Sequence, residues 1–111
     1  MKMDLHAHQN LELAETFGLL SDPTRLSIIL TCFDREIAAG EIASKLEISQ
    51  SLASHHLRLL RGARMLKSER RGKQIFYELA DDCVRDVLTI MTGHLFTHDH
   101  RDTELAKQGE S

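Results

Sequence analysis

Two groups of side chains in this 111-residue chain have the types and spacings that site chemistry needs. Near the C-terminus His94 and His98 stand four residues apart, so on a helix both imidazoles project from one side, as two metal ligands must. Cys83 falls on nearly the same helical line, with Asp81 two residues before it. Cys83 and His94 are separated by about 16 Å of helix, so one helix cannot bring both to one ion. Antiparallel pairing with a twofold mate would: Asp81 and Cys83 of one chain would meet His94 and His98 of the other, giving two equivalent sites per dimer. A carboxylate, a thiolate and two imidazoles suit tetrahedral Zn2+, with Cd2+ and Co2+ as alternatives. The competing reading is plain interface histidines and a small buried cysteine, with no metal bound.

The second group lies mid-chain. Gln50, Ser51, Ser54 and His55 open a predicted helix with short hydrogen-bonding side chains, the kind that reach base edges in a major groove. Arg58 and Arg61 follow further along the same helix, and Arg70, Arg71 and Lys73 come later; these suit phosphates, which set affinity and register without reading sequence. A formal charge of −3, from 14 basic and 17 acidic residues, argues against a polyanionic partner. The distribution reverses that argument. Residues 55–73 carry Arg58, Arg61, Arg64, Lys67, Arg70, Arg71 and Lys73 against one acid, Glu69, leaving the rest of the chain strongly acidic. A basic run is usually a solvated face, but here it coincides with a two-helix motif and a hairpin, which favours double-stranded DNA. His55 is assigned to DNA, whereas His56 shares a helical face with Leu52, Leu59 and Leu60 and is structural.

The elements that must position these residues follow from periodicity. A first helix carries Leu13, Ala14, Phe17 and Leu20 from Leu11 to Leu20; Ser21-Asp22-Pro23 stops it and restarts the chain, with Asp22 as cap and Pro23 in the first helical position. A second helix places Leu26, Ile29, Leu30 and Phe33 on one face. A short helix from about Ala39 to Leu46 turns through Glu47-Ile48 into Ser49, the predicted cap of a helix from Gln50 to about Gly62 whose Leu52, Leu57 and Leu60 face the core. Met65 to Glu69 and Gln74 to Leu79 read as strands around an Arg70-Arg71-Gly72-Lys73 turn. A final helix is predicted over Asp82 to His98. Its apolar arc includes Val84, Val87, Leu88, Ile90, Met91 and Leu95 and is wider than one packing face needs. The expected architecture is therefore mainly α with a small β-hairpin, a winged helix-turn-helix that is homodimeric through its first and last helices. Residues 11–98 form the domain, with flexible ends at 1–10 and 99–111.

Other classes fall away. No apolar run approaches the roughly 20 residues of a membrane span, and the N-terminus, with Asp4 and two histidines, lacks the apolar core of a signal peptide, so no membrane partner and a cytoplasmic location are expected. Cys32 and Cys83 show no CxxC spacing and are expected to be reduced. No HExxH, GxSxG, P-loop or GxGxxG motif is present, and no enzyme is expected.

The stretches LLSDPTRLSIIL, EIAAGEIASKLEISQSLASHHLRLL and ERRGKQIFYEL resemble the ArsR/SmtB family of bacterial metal-responsive repressors, over roughly residues 11–98. The resemblance implies a homodimeric repressor whose DNA contacts fall at Gln50, Ser51, Ser54 and His55. Its operator would be an imperfect palindrome read by the two subunits. Members sensing zinc, cobalt or nickel carry Asp-x-His early in the last helix and His-x-x-His or His-x-x-Glu near its end. Here Asp81-Asp82-Cys83 matches with Cys in place of His, His94 matches, Thr97 takes the last ligand position and His98 is displaced by one. Ni2+ thereby joins the alternatives to Zn2+. A second family site, with a cysteine at the start of the third helix, has Ala38 at that position, and the positions used by thiol-sensing members hold Leu30 and Phe96. Release from DNA by a divalent metal is the expected function; a thiol-responsive repressor, or one that senses no small molecule, is the alternative.

Overall fold

The computed structural model describes the backbone of residues 3–110 and the side chains of residues 3–97. Eight elements follow in order: α1 (Ala7–Leu20), α2 (Pro23–Thr31), β1 (Ile37–Ala38), α3 (Ala39–Leu46), α4 (Gln50–Gly62), β2 (Leu66–Arg71), β3 (Gln74–Leu79) and α5 (Asp82–Glu110). The three strands form one antiparallel sheet in the order β1-β3-β2. Helix-turn-helix α3–α4 followed by a hairpin is a winged helix-turn-helix. The chain divides after Ala80 into two units, the second being α5.

Local chemistry sets the helix starts. The Asp22 carboxylate accepts the Arg25 amide at 2.9 Å, with Pro23 in the first turn of α2. Ser49 Oγ accepts the Leu52 amide at 3.0 Å and starts α4. Between them, Glu47 takes a left-handed conformation (φ 55°) that ends α3 and lets the Ile48 amide reach the Ala43 carbonyl. The core draws on the elements from α2 to β3: Ile28 and Ile29 of α2, Ile37 of β1, Ile42 of α3, Leu57 and Leu60 of α4, Leu66 of β2, and Tyr77 and Leu79 of β3.

Several expectations change. Helix α1 starts at Ala7, where His6 and Gln9 form a capping box, and α5 continues past His98 to Glu110. The sequence reading had no β1. It is two residues long and pairs Ile37 with Tyr77 and Ala38 with Phe76, too short to show a period of two. Leu52 does not face the core: it is 41% exposed, and the inward positions of α4 are Ala53, His56, Leu57 and Leu60, spaced three and four apart. In α2, Ile28 joins Ile29 inside while Leu30 is exposed. Arg70 and Arg71 belong to strand β2, and the turn reduces to Gly72 and Lys73, with Gly72 at φ +62°.

Two helices leave apolar side chains uncovered. Helix α1 has no buried residue, and Leu13 and Phe17 are about half exposed. On α5, Val87, Ile90, Met91 and Leu95 are exposed. Among the described residues no helix is long and apolar enough to cross a membrane.

Candidate nucleic-acid interface and metal ligands

Helix α4 turns the face opposite its core stripe to solvent. Gln50, Ser51, His55, Arg58 and Arg61 are exposed on it and Ser54 is half-buried at its edge. Five of the six sequence-predicted residues of this helix are thus exposed and the sixth, Ser54, is half-buried. Leu52 and Leu59 flank them, also exposed.

His56 is buried behind that face, 8% exposed, as the structural reading required. Its Nδ1 lies 3.5 Å from the Arg25 guanidinium, whose Nε donates to the Leu19 carbonyl at 2.8 Å. A ring nitrogen facing a guanidinium is placed to accept, which favours the neutral imidazole. Burial, then Arg25, holds the His56 pKa below its ordinary 6.5, partly opposed by Asp22. Arg25 thereby links the end of α1, the start of α2 and α4. Sequence reasoning missed it, because nothing in the spacing of Arg25 and His56 places them together.

The wing separates its basic residues. Successive residues of a strand point to opposite faces, so Arg70 and Arg71 cannot act on the same side. Arg70 and Lys73 are exposed at the tip, where Arg70 Nε donates to the Gly72 carbonyl at 3.3 Å. Arg71 projects from the outer face, donating to Glu36 at 2.5 and 2.9 Å and to Glu69 at 2.7 Å, and its guanidinium lies 4.7 Å from the Phe76 ring centre. Lys67 pairs with Glu78 at 3.2 Å on the same face. Two further members of the basic stretch are thus in ion pairs with carboxylates, as is Arg64, 3.4 Å from Glu12.

On α5, Asp81 Oδ1 accepts the Val84 amide at 3.1 Å, capping the helix. Capping uses one lone pair of a carboxylate that offers about four, so it is compatible with a metal. Cys83 and His94 are both exposed on the side that carries Val87, Ile90 and Met91. The His98 side chain lies outside the described residues. The Thr97 hydroxyl donates to the Gly93 carbonyl within its own helix. Among the described residues no group of three or more His, Cys, Asp or Glu within one chain could hold a metal ion, so any fit of Asp81, Cys83 and His94 to a tetrahedral ion requires a second copy. Cys32 is buried, and burial pushes its thiol pKa up to about 12, which disfavours the thiolate.

The profile of bacterial regulatory proteins of the arsR family matches residues 22–68, from the Asp22 cap through the helix-turn-helix to the start of the wing. The cadmium resistance transcriptional regulatory protein CadC homolog of Staphylococcus aureus is 34% identical over 88 residues, covering 78% of this chain and 73% of that protein. This chain belongs to the arsR family. The transcriptional repressor SmtB homolog of Synechocystis sp. is 34% identical over 84 residues, 76% of this chain, and the chain spans 64% of that relative's length. In three dimensions this arsR-family chain is similar to the homodimeric winged helix-turn-helix DNA-binding domain of a Mycobacterium bovis protein. Their TM-score is 0.74 at 24% identity, covering 87% of this chain and 94% of that one, a match of fold. These relatives are transcriptional regulators and not enzymes.

Proposed function

We propose that the chain is a homodimeric transcriptional repressor that binds double-stranded DNA through α4 and the wing and is released by a divalent metal, zinc first among the candidates. The observation that carries the DNA reading is the open face of α4. Gln50, Ser51, Ser54 and His55 stand at its N-terminal end, Arg58 and Arg61 continue it, and Arg70 and Lys73 stand exposed at the wing tip of an otherwise acidic protein. The first four would contact base edges and the cations would contact phosphates. The uncovered apolar residues of α1 and α5 support a second copy as their partner. A twofold dimer would place two recognition helices on an imperfect palindrome.

The metal part rests on Asp81, Cys83, His94 and His98, brought together between antiparallel α5 helices of the two subunits. Cd2+, Co2+ and Ni2+ are the alternatives to Zn2+ for this donor set. Binding would favour a dimer conformation with weaker DNA affinity, a coupling shared reciprocally by the two sites. The buried Cys32 speaks against a thiol switch built on both cysteines.

The test is fluorescence anisotropy of the full chain with a duplex selected from a random pool, at several salt concentrations, with and without Zn2+. The expected result is binding that weakens steeply with salt, weakens again with Zn2+, and loses only the Zn2+ response in the H94A/H98A variant. Equal affinity with and without Zn2+ would remove the metal part, leaving a repressor without small-molecule sensing. Absence of salt-sensitive binding would remove the DNA part.

A further inference from the structure

We propose that Arg71 is a positioning residue for DNA binding, a clamp that fixes the wing against the segment leading into the helix-turn-helix, and that phosphate does not neutralise its charge. The inference rests on the DNA-binding reading above. Adjacent arginines at a basic wing tip look interchangeable in sequence, yet the strand sends them to opposite faces. Arg70 has one hydrogen bond, to a backbone carbonyl in the tip itself. Arg71 has three to carboxylates: two parallel bonds to Glu36 and one to Glu69.

The path of the clamp gives it a mechanical role. The sheet order is β1-β3-β2, so a residue on β2 is separated from the β1 side by the whole width of β3. Arg71, at the end of β2, crosses over Phe76 of β3 and grips Glu36, the residue immediately before β1. Strand β1 runs directly into α3. One guanidinium therefore ties the far edge of the wing to the chain that leads into the helix-turn-helix. A bidentate guanidinium–carboxylate pair holds distance and angle together, which a lysine cannot do.

Charge on the outer face argues the same way. It carries Glu36, Glu69 and Glu78 against Lys67 and Arg71, an acid surplus that repels a phosphate backbone. Moving Arg71 to a phosphate would leave Glu36 and Glu69 without it beside that backbone. The DNA-facing cations of the wing are then Arg70 and Lys73.

The salt dependence of binding separates clamp from contact, because each phosphate neutralised adds about 0.9 to the slope of log K against log salt. The full-length dimer is titrated with the selected duplex across salt concentrations, with circular dichroism recorded on every variant. K73Q and R70Q should each lower the slope by about 1.8 per dimer, since each side chain occurs twice. R71Q should weaken binding by about fivefold or more with the slope unchanged. E36Q, which leaves the arginine in place, should weaken binding alike, and R71Q/E36Q should be no weaker than either single variant. R71K should fail to restore wild-type affinity. A slope for R71Q lowered as in K73Q would make Arg71 a phosphate ligand and overturn the proposal. So would unchanged affinity in R71Q, or tighter binding with a steeper slope in E36Q, which would mean that Glu36 withholds Arg71 from DNA. Failure of the wild-type protein to show any salt-dependent binding would instead overturn the underlying DNA reading.

Discussion

The cap of α4 offers a sharp separation of stability from the proposed DNA recognition. Ser49 Oγ accepts the Leu52 amide at 3.0 Å, holding the turn on which Gln50 and Ser51 ride. Replacing a capping serine with alanine costs about 1 kcal/mol. In a domain of this size that lowers the melting temperature by about 4–8 °C. The same 1 kcal/mol limits the effect on DNA: at most about fivefold per recognition helix and about thirtyfold per dimer, and much less if the uncapped turn stays mostly formed. Ser49→Asp keeps the cap, since a carboxylate accepts the same amide and favours a helix N-terminus. It should therefore melt at or above the wild-type temperature, yet bind DNA more weakly than Ser49→Ala, because it sets an anion against the phosphates. The assay pairs thermal unfolding by circular dichroism with duplex titration. If Ser49→Asp melts as low as Ser49→Ala, the hydroxyl is not acting as a cap; if Ser49→Asp binds like the wild type, this end of α4 does not face DNA.

Two further outcomes are expected. The folded pKa of His56 lies below its ordinary 6.5, so the unfolded chain binds more protons between the lowered value and about 6.5. Stability should be full above about pH 6.5 and fall as pH drops through that window, and His56→Gln should flatten this part of the denaturation-against-pH curve; an unchanged curve would show that another group titrates there. Phe17→Asp or Ile90→Asp places a charge on an uncovered apolar face and should yield a monomer by analytical ultracentrifugation, with DNA affinity lowered about a hundredfold or more as the two half-sites lose their linkage. A wild-type chain that already sediments as a monomer at micromolar concentration would refute the assignment of those faces.

Where local rules govern, the sequence was readable. The Asp22-Pro23 and Ser49 caps and the extent of α3 and α4 all depend on side chains within a turn of one another. Errors arose where tertiary packing chooses between neighbours. Leu52 is more apolar than Ala53, but the core stripe of α4 runs through positions 53, 56, 57 and 60, and register outranks hydrophobicity. Strand β1 exists because β3 offers it an edge, a fact stored forty residues away. For the candidate DNA face, the exposure of the α4 positions was legible, whereas the carboxylate partners of Arg71 on the wing were not. A basic run was counted as one surface, although strict alternation along β2 already separates Arg70 from Arg71. The partner of Arg71, Glu36, had no local signal. For the candidate ligands on α5, spacing alone indicated that one chain would not suffice.

The pairing of Ile37 with Tyr77 has a consequence for how such a domain can be built and changed. It closes the chain into a loop that contains α3, α4 and β2, with its two ends side by side on adjacent strands. Helix α4 and most of the wing are therefore one cassette, entered at β1 and left at β3. Exchange of the whole cassette between relatives would keep this closure intact, with the packing of α2 against α3 and α4 and the Arg25–His56 contact as the seam to be matched. Exchange of α4 alone, or of the hairpin alone, would cut across a closed loop and leave its two halves mismatched.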